Sequence, residues 1–564
     1  MKKALPIGVV NYRELQHENY YTVDKTMMIQ EILERKSKVT LITRPRRFGK
    51  TSNMSMLAEF FDITKSSKQL FENTQIYVTD YKDEINQYPV IFISFAGAKG
   101  DLEGAVKYIK QEVSREFQRH KYVFHDLDEY DLPIYSRIKQ GIDDSDNSNI
   151  RDIDNAVSFL MKKLEEYYHK KVIILIDEYD TPFIEAHVHG FYHDIRAGLS
   201  SLLHNALKDN DSLQYAMLTG IQRVAKENAP QAGRSLFSDL NNLKVFTVQD
   251  KEYAQWFGFT ETEVRELLKY YDLSYSDEVK AMYDGYHIGD FDMYNPWSII
   301  NYVDEKELKP YWVNTSSNTM IKNAMEQSDR TFKKGYEKLL KQGWLDTQVS
   351  INTSFYEQSN TENLWGLFVN AGYLTIDQEL PMKKVRIRIP NQEVQEEFMS
   401  LTAYYLHVSD TLLNDLFAAL LTEDETAFLE TYRTILLTLP SYYDLKNENS
   451  FHMMMLGMCA WLSNDYTISS NTHRAEPREK GKGRSDIELR AKTNRFPSFV
   501  MEMKYMKTEE YKKHPEALKV LAQEGLQQIQ KQTYDIDLTG KVIYISLAHA
   551  GKDVEMIWQK SSIK

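Results

Sequence analysis

The chain has 564 residues, a length that exceeds one hydrophobic core and indicates about three or four structural units. Hydrophobic residues make up 42% and charged residues 27% of the sequence, which excludes a largely disordered protein. The formal net charge of −13 argues against non-specific coating of nucleic acid by the whole surface, so any such contact is expected to be local.

The single cysteine, Cys459, excludes an intramolecular disulfide and a thiolate zinc site. It lies in the apolar run MMMLGMCAWL, where a buried thiol is expected. No apolar stretch approaches about 18 residues, and the start of the chain lacks the apolar core of a signal peptide. We therefore expect a cytoplasmic protein without a membrane-spanning segment.

Residues 38–62 predict a strand, a basic turn and a helix in immediate succession. Val39 and Leu41 belong to a β-branched run typical of a buried strand, and apolar residues after Thr51 recur at helical spacing. Such a turn directs backbone N–H groups and the positive end of the helix dipole towards a bound anion. The turn TRPRRFGKT therefore predicts a phosphate-binding site.

Lys50 is expected to reach the β- and γ-phosphates of a nucleotide, and Thr51 to place its hydroxyl on Mg²⁺. Arg44 stands where a Walker A sequence has glycine, so the path of the turn is open, and an arginine there would add a contact to phosphate. A solvated basic turn is the alternative interpretation. The predicted nucleotide-binding residues of this turn are Arg44, Arg46, Arg47, Phe48, Gly49, Lys50 and Thr51.

Residues 172–180 read VIILIDEYD, five aliphatic residues followed by acids. An uninterrupted aliphatic strand is typical of the centre of a parallel sheet, and acids at its carboxyl end face the ligand crevice. Asp177 is predicted to hold Mg²⁺, and Glu178 to orient and polarise the attacking water. The next strand ends at Thr219, a candidate sensor of the γ-phosphate, and Arg223 is a candidate for stabilising transition-state charge. A strand-end residue and a surface residue are the alternatives for these two.

A second set of candidate residues lies near the carboxyl end of the chain. The run FVMEMK predicts a strand that places Glu502 and Lys504 on one face. The preceding strand presents Asp486, and because neighbouring strands lie about 4.8 Å apart, Asp486 and Glu502 are expected to share one divalent cation. Carboxylates favour Mg²⁺ or Mn²⁺ over zinc, and Lys504 would hold or activate a water molecule. An exposed sheet edge is the alternative.

Other residues near this set are further candidates. Glu448 is predicted to join the metal site, and Gln528 to bind metal or position substrate. His452 is flanked by methionines and is expected to pack in the core. A basic turn beside the acids would follow a nucleic-acid backbone, with a solvated turn as the alternative. Its residues are Arg478, Lys480, Lys482 and Arg484.

The order of several short segments resembles one known family. These segments are LPIG, YYTVDKT, RPRRFGKT, LIDEYDTP, LTGIQRVAKE, DLNNL, FGFTETEV, MYDGY and YNPWS, followed by REKGKGRSDIEL and FVMEMK. They resemble the bacterial AAA-ATPase-like proteins with a C-terminal PD-(D/E)XK nuclease-like domain. The resemblance implies an α/β fold: a P-loop NTPase core of the additional-strand type, a helical or winged-helix lid, and a restriction-endonuclease-like α/β domain. The implied boundaries are 1–255 for the ATPase, 256–345 for the lid, 346–400 for a connector and 401–564 for the nuclease-like domain.

This resemblance implies ATP binding and hydrolysis coupled to Mg²⁺- or Mn²⁺-dependent cleavage of phosphodiester bonds. The expected partners are ATP and nucleic acid, with DNA and RNA both open. A monomer and a homo-oligomer also stay open, and in an oligomer Arg223 or Arg234 would act across a subunit boundary. The alternative function is a regulatory protein that binds ATP and nucleic acid without cleaving it.

Overall fold

The computed structural model describes residues 2–224, 241–312, 318–326, 328–352, 359–405, 408–439, 448–462, 465–470, 486–493, 495–532, 538 and 540–563. The chain divides into two compact units, Met1–Ala324 with Thr347–Val385, and Met325–Asp346 with Arg386–Lys564. Each unit contains a five-stranded sheet. The expectation of two α/β folds in one chain is confirmed, while the predicted division into four parts stays a prediction.

The first unit is built on a parallel sheet. Its strands are β1 (Val39–Thr43), β2 (Val90–Ser94), β3 (Val172–Asp177), β4 (Leu213–Gly220) and β5 (Leu243–Phe246). They follow the order β2-β3-β4-β1-β5, with every pairing parallel. β4 thus lies between β1 and β3, as expected for a core with an additional strand. This order brings the carboxyl ends of β1, β4 and β3 side by side at one edge, where ligands bind in open α/β sheets.

Helices pack against this sheet, and β1 and β3 are buried along their whole length. Strands buried on both faces carry continuous aliphatic sequence because neither face meets water. The helices of this part of the described chain are α1 (Tyr12–His17), α2 (Met27–Arg35), α3 (Lys50–Phe61), α4 (Lys68–Phe71), α5 (Leu102–Arg119), α6 (Asp131–Asp143), α7 (Ala156–Tyr168), α8 (Thr181–His189) and α9 (Tyr192–Leu207).

A small helical region with its own three-stranded antiparallel sheet follows β5. Its strands are β6 (Phe259–Thr260), β7 (Tyr286–Ile288) and β8 (Phe291–Tyr294), in the order β6-β8-β7. Its helices are α10 (Glu261–Tyr270), α11 (Asp277–Tyr283) and α12 (Pro296–Glu305). α10 begins with a capping box, in which the Thr260 side chain accepts from the Glu263 N–H and the Glu263 side chain accepts from the Thr260 N–H. We call residues 256–305 the lid region.

The middle of the chain adds further helices and short strands. These are α13 (Asn318–Glu326), α14 (Arg330–Gln342), β9 (Trp344–Thr347), α15 (Thr361–Ala371), β10 (Thr375–Leu380), β11 (Lys384–Arg388), α16 (Gln392–Tyr405), α17 (Asp410–Leu421) and α18 (Glu425–Thr438). Across the described ranges, every helix is too short or too polar to span a bilayer.

The second unit is built on a mixed sheet. Its remaining elements are α19 (Glu448–Cys459), β12 (Tyr466–Ser470), β13 (Ile487–Ala491), β14 (Ser498–Tyr505), α20 (Thr508–Lys513), α21 (Ala517–Gln532), β15 (Gly540–Ala550) and β16 (Asp553–Ile563). The strands follow the order β12-β13-β14-β15-β16, with β14 and β15 parallel and the other neighbours antiparallel. His452 and Cys459 of α19 are both buried, as expected.

Helix α21 lies unusually close to this sheet. A Cβ atom on Gly525 would stand 2.2 Å from Oγ of Ser546 on β15 and 3.2 Å from Cγ of Lys504 on β14. A larger residue at this position would force the Ser546 side chain or the helix to shift. Leu526 and Ile529 of α21 pack with Val500 of β14, and Gln528 of the same helix reaches Glu502.

Candidate active sites

The phosphate-binding turn joins β1 to α3 and ends at Gly49. Gly49 has a left-handed φ of 79° and is the N-cap of α3, and no side chain caps the first turn of that helix. The N–H groups at the start of α3 are therefore available to an anion. A cavity of about 920 Å³ opens here, and its lining includes Gly49, Lys50 and Thr51. A cavity of this size accommodates a nucleotide.

Lys50 is buried at the start of α3. Its Nζ donates to the backbone carbonyl oxygens of Arg44, at 3.0 Å, and Pro45, at 2.8 Å. Burial lowers the pKa of Lys50, and the negative charges of Glu178 and Asp177 oppose that shift. The ammonium group is thus held by neutral carbonyls, which are weaker partners for a cation than phosphate oxygens.

Asp177, at the end of β3, joins this turn to β4. Its Oδ2 accepts from the hydroxyl of Thr51 at 2.8 Å, and its Oδ1 accepts from the hydroxyl of Thr219 at 2.6 Å. Burial raises the pKa of Asp177 above its ordinary value, and these two hydrogen bonds oppose the shift. The structure therefore brings Thr51 of α3 and Thr219 of β4 into hydrogen-bonding contact with the carboxylate of Asp177 at the end of β3. All three are predicted site residues.

Glu178 lines the cavity together with Lys50 and Thr51. Its φ of 51° is left-handed, an unusual and costly conformation for a residue with a side chain. Its Oε2 accepts a hydrogen bond from the hydroxyl of Thr181 at 3.1 Å. The carboxylate is therefore held at the cavity wall, three residues before α8 begins.

Arg46 and Arg47 also line the cavity, and residues of the lid region hold their part of the turn. The guanidinium carbon of Arg47 lies 3.8 Å from the centre of the Trp297 ring, in a cation–π contact. The side-chain amide of Asn295 donates to the carbonyl oxygen of Arg46 at 3.4 Å. Trp297 belongs to YNPWS, one of the short segments that carry the family resemblance.

Phe48 fixes the same turn from inside the protein. Its ring is fully buried and meets the Tyr286 ring edge-to-face, with 4.9 Å between centroids. Its carbonyl oxygen accepts from the Gly258 N–H at 3.1 Å. Lys25, another residue of the cavity lining, makes a buried ion pair with Glu263 of α10 at 2.7 Å. The lid region thus contacts both the turn and the segment that precedes β1, which sequence periodicity did not predict.

Arg44 points away from the cavity. Its side chain is fully buried, and its Nη1 donates to the carbonyl oxygens of Thr43 at 2.8 Å and Thr247 at 2.7 Å. Burial lowers the pKa of Arg44 to about 10, with Asp250 opposing the shift. The prediction that Arg44 contacts phosphate is not supported by this placement. The long side chain of Arg44 thus reaches the carbonyl oxygen of Thr247, just beyond the end of β5. The local sequence around Arg44 does not reveal this distant partner.

Arg223 follows β4 but is not one of the residues that line the cavity. Its Nε is buried and has no hydrogen-bond partner within the described part of the chain. Arg234, the other arginine considered for a role across a subunit boundary, lies outside the described residues.

The second site is centred on Glu502 of β14. Its Oε1 accepts from Nζ of Lys504 at 2.9 Å and from the side-chain amide of Gln528 on α21. Glu448 of α19 approaches the same lysine, with its Oε1 3.9 Å from Nζ. Burial and the charge of Asp486 raise the pKa of Glu502, while Lys504 opposes the shift. Four predicted residues and one further candidate therefore converge here.

Asp486 belongs to this site and immediately precedes the first residue of β13. Ile487 of β13 pairs with Met501 of β14, and the two strands are antiparallel. Asp486 and Glu502 are therefore the residues next to this pair, one on each chain segment. Oδ2 of Asp486 accepts from the Met503 N–H at 2.7 Å. For Lys504, burial alone would lower the pKa, but the neighbouring carboxylates of Glu502 and Glu448 outweigh it and raise the pKa.

Two protein-family models match the chain. The model described as a predicted AAA-ATPase matches residues 6–229, and the model described as the PD-(D/E)XK nuclease superfamily matches residues 446–558. The chain carries an AAA-ATPase-like domain followed by a PD-(D/E)XK nuclease superfamily domain. The resemblance inferred from the order of the sequence segments is confirmed. The cavity beside Lys50 lies in the AAA-ATPase-like domain, and Glu502 lies in the PD-(D/E)XK domain.

A curated relative is described as an uncharacterized protein in the vnfD 5' region of Azotobacter chroococcum mcd 1. It is 29% identical over 410 residues, which cover 70% of this chain and 69% of the relative. The similarity therefore extends beyond either of the two matched domains alone.

The side chains of the PD-(D/E)XK domain fit a hard divalent cation in their chemistry. Among the described residues, Oε2 of Glu502 is buried without a hydrogen-bond partner, and a bound cation would satisfy such an oxygen. Within the described ranges, no group of three or more histidine, cysteine or acidic side chains is placed to hold a metal ion. Instead, the ammonium group of Lys504 lies between Glu502 and Glu448. The predicted basic turn from Arg478 to Arg484 lies outside the described residues.

Proposed function

We propose that the AAA-ATPase-like domain binds and hydrolyses ATP, and that the PD-(D/E)XK domain cleaves phosphodiester bonds of nucleic acid with Mg²⁺ or Mn²⁺. The nucleotide state of the first domain controls cleavage by the second, because a bound ligand shifts a protein towards the conformation that it prefers. The observation that carries the first half is the hydrogen bond between Thr51 and Asp177, beside a lysine whose hydrogen bonds, within the described part of the chain, go to backbone carbonyls.

In the ATPase, Lys50 exchanges its carbonyl partners for the β- and γ-phosphates, and the N–H groups at the start of α3 bind the phosphate chain. Thr51 and Asp177 would hold Mg²⁺, which neutralises phosphate charge when it is bound. Glu178 accepts a hydrogen bond from the attacking water and orients it. Thr219 supports Asp177 from β4, and Arg46 and Arg47 add positive charge at the cavity wall.

In the nuclease, Asp486, Glu502 and Glu448 would hold the cation. When bound, a divalent ion would lower the pKa of a water molecule and neutralise charge on the phosphodiester. Lys504 donates a hydrogen bond to the attacking water or to a phosphate oxygen and stabilises the added negative charge. Gln528 orients Glu502 through the hydrogen bond from its amide. The buried, unpartnered Oε2 of Glu502 supports this half of the proposal.

A regulatory protein that binds ATP and nucleic acid without cleavage is the second candidate. One observation favours it: the ammonium of Lys504 lies 2.9 Å from Glu502 and 3.9 Å from Glu448, so a lysine already balances part of the charge of the acidic side chains. A cation would have to share these carboxylates with Lys504.

A cleavage assay separates the two candidates. Labelled single- and double-stranded DNA and RNA are incubated with the full chain, with and without Mn²⁺ and ATP. Metal-dependent cleavage is expected, and Lys504→Ala is expected to abolish it. Lys507→Ala, which changes an exposed lysine three positions further along the chain, is the matched control and should cleave normally. Binding of nucleotide without cleavage of any substrate would select the regulatory protein instead.

A further inference from the structure

Two residues that follow the acidic pair Asp177 and Glu178 hold the chain segment after β4. Oδ2 of Asp180 accepts from the Ile221 N–H and the Gln222 N–H, both at 2.8 Å. The hydroxyl of Tyr179 donates to the carbonyl oxygen of Gln222 at 2.7 Å and accepts from the N–H of residue 224 at 2.9 Å. Two side chains thus satisfy four backbone groups of residues 221–224.

This contact is buried and closely packed. The exposed fractions of Tyr179 and Asp180 are 0% and 1%. A Cβ atom on Gly220 would stand 2.6 Å from Oδ1 of Asp180 and 2.7 Å from Cε1 of Tyr179, so glycine is required at the end of β4. The Tyr179 N–H also donates to the carbonyl oxygen of Thr219 at 3.0 Å. The turn after β3 and the turn after β4 therefore form one hydrogen-bonded unit.

Glu178 lies in the turn after β3, between Asp177 and Tyr179, and has a left-handed φ of 51°. Such a conformation persists only where the surroundings determine it from both sides. On one side Asp177 is held by the hydroxyls of Thr51 and Thr219, and on the other side Asp180 is held by the N–H groups after β4. The direction of the Glu178 backbone therefore depends on the contact with residues 221–224.

Arg223 is carried by the segment that Tyr179 and Asp180 hold. Its own N–H and carbonyl lie between the anchored residues Gln222 and Val224, and its Nε is buried without a hydrogen-bond partner among the described residues. A displacement of the turn after β3 would therefore move the backbone of Arg223 as well.

We propose that Tyr179 and Asp180 are positioning residues that couple Glu178 to Arg223. Because of these two residues, the carboxylate of Glu178 and the side chain of Arg223 move together when the phosphates of ATP bind. The inference rests on the proposed ATP hydrolysis and deepens it, because it names the residues that link the two turns. It is independent of the nuclease half of the proposed function.

Substitutions of the two side chains test the coupling. Tyr179→Phe and Asp180→Ala should lower kcat at least about tenfold while the Kd for ATP changes less than about threefold. Asp180→Asn keeps an oxygen acceptor and should recover most of the activity. Tyr122→Phe is the matched control, because it removes a hydroxyl that bonds His120 and Tyr168 outside the cavity lining. An equal loss in Tyr122→Phe would overturn the inference.

Coupling through Arg223 also predicts non-additive effects. The variant Asp180→Ala with Arg223→Ala should be no slower than the slower single variant, because both changes break the same link. Losses that multiply would contradict the inference, since Asp180 would then act by another route.

Hydrogen exchange of the amides at 221, 222 and 224 provides a readout that does not require turnover. A non-hydrolysable ATP analogue with Mg²⁺ should change their exchange in the wild-type chain and leave it unchanged in Asp180→Ala. If the analogue binds and the wild-type amides do not respond, the coupling is wrong and the proposed nucleotide binding stands. If the analogue does not bind, the proposed function fails and the coupling fails with it.

Discussion

The hydroxyl of Thr51 lies 2.8 Å from Oδ2 of Asp177, and this hydrogen bond joins the start of α3 to the end of β3. The other carboxylate oxygen of Asp177 accepts from Thr219. Both oxygens of a buried carboxylate are thus satisfied by hydroxyl groups, which is what burial of a charge requires. The two residues that would hold Mg²⁺ are consequently in direct contact with each other.

We expect Lys50→Ala to lower the affinity for ATP about tenfold to a hundredfold, because a charge-assisted hydrogen bond contributes roughly 1.5–3 kcal/mol. Calorimetric titration of the full chain with an ATP analogue measures the change. Lys82→Ala, at an exposed lysine of the same unit, should bind like the wild type. Unchanged affinity in Lys50→Ala would show that the cavity does not bind the phosphates.

Glu178→Gln should bind ATP normally and release phosphate at least about a hundredfold more slowly, because the amide cannot polarise the attacking water. The substitution keeps the size of the side chain and its place beside Thr181. Binding and phosphate release are measured on the same preparation. Turnover at the wild-type rate would remove Glu178 from the proposed mechanism.

Arg44 and Arg46 should respond differently to substitution. Arg44→Met removes the guanidinium that donates to the carbonyl oxygens of Thr43 and Thr247, so we expect a loss of about 1–3 kcal/mol in unfolding free energy and little change in the ATP affinity of the folded protein. Arg46→Ala should lower the ATP affinity at nearly unchanged stability, because Arg46 lines the cavity. Chemical denaturation and nucleotide titration distinguish the two. The reverse pattern would place Arg44 at the phosphates.

Gly525→Ala should destabilise the PD-(D/E)XK domain by about 1–3 kcal/mol, because its Cβ would overlap Oγ of Ser546. Removing that oxygen in the double variant Gly525→Ala, Ser546→Ala should restore part of the loss. Thermal unfolding of the wild type and the two variants measures both effects. Equal stability of Gly525→Ala and the wild type would show that α21 can move away from β15 at no cost.

His549 should make the PD-(D/E)XK domain sensitive to acid. Its Nε2 lies 2.9 Å from the hydroxyl of Tyr432, its ring stacks on Phe451, and burial lowers its pKa from 6.5 to about 3. Below pH 6.5 the imidazole of His549 binds a proton in the unfolded chain, whereas in the folded chain it stays neutral until the pH approaches 3. The stability that the folded chain gains from the neutral, buried imidazole is therefore complete above pH 6.5 and is lost as the pH falls towards 3.

Between pH 7 and pH 4 this residue should account for about 3 kcal/mol of lost unfolding free energy. His549→Phe is expected to be less stable at pH 7 but to lose correspondingly less on acidification. Denaturant titration at both pH values checks this, with His514→Ala, at an exposed histidine, as the control. An identical loss in His549→Phe and the wild type would assign the acid sensitivity to other groups.

Local patterns in the sequence were sufficient for the parts of both sites that one element or one turn creates. A strand, a turn and a helix in succession placed Lys50 at a helix start, and an aliphatic run ending in acids placed Asp177 at a strand end. Alternation along β14 put Glu502 and Lys504 on one face. Backbone geometry alone enforces these relationships, so they needed no knowledge of the remaining chain.

The tertiary structure alone decided which distant groups each side chain meets. The side chain of Arg44 is buried because the carbonyl oxygen of Thr247, just beyond the end of β5, accepts its hydrogen bond. Arg47 contacts the ring of Trp297 because the lid region packs against the turn. The contact of Asp180 with residues 221–224 exists because β4 lies beside β3 in the sheet. Such partners are far apart in the chain, and sequence periodicity carries information only about neighbours within a few residues.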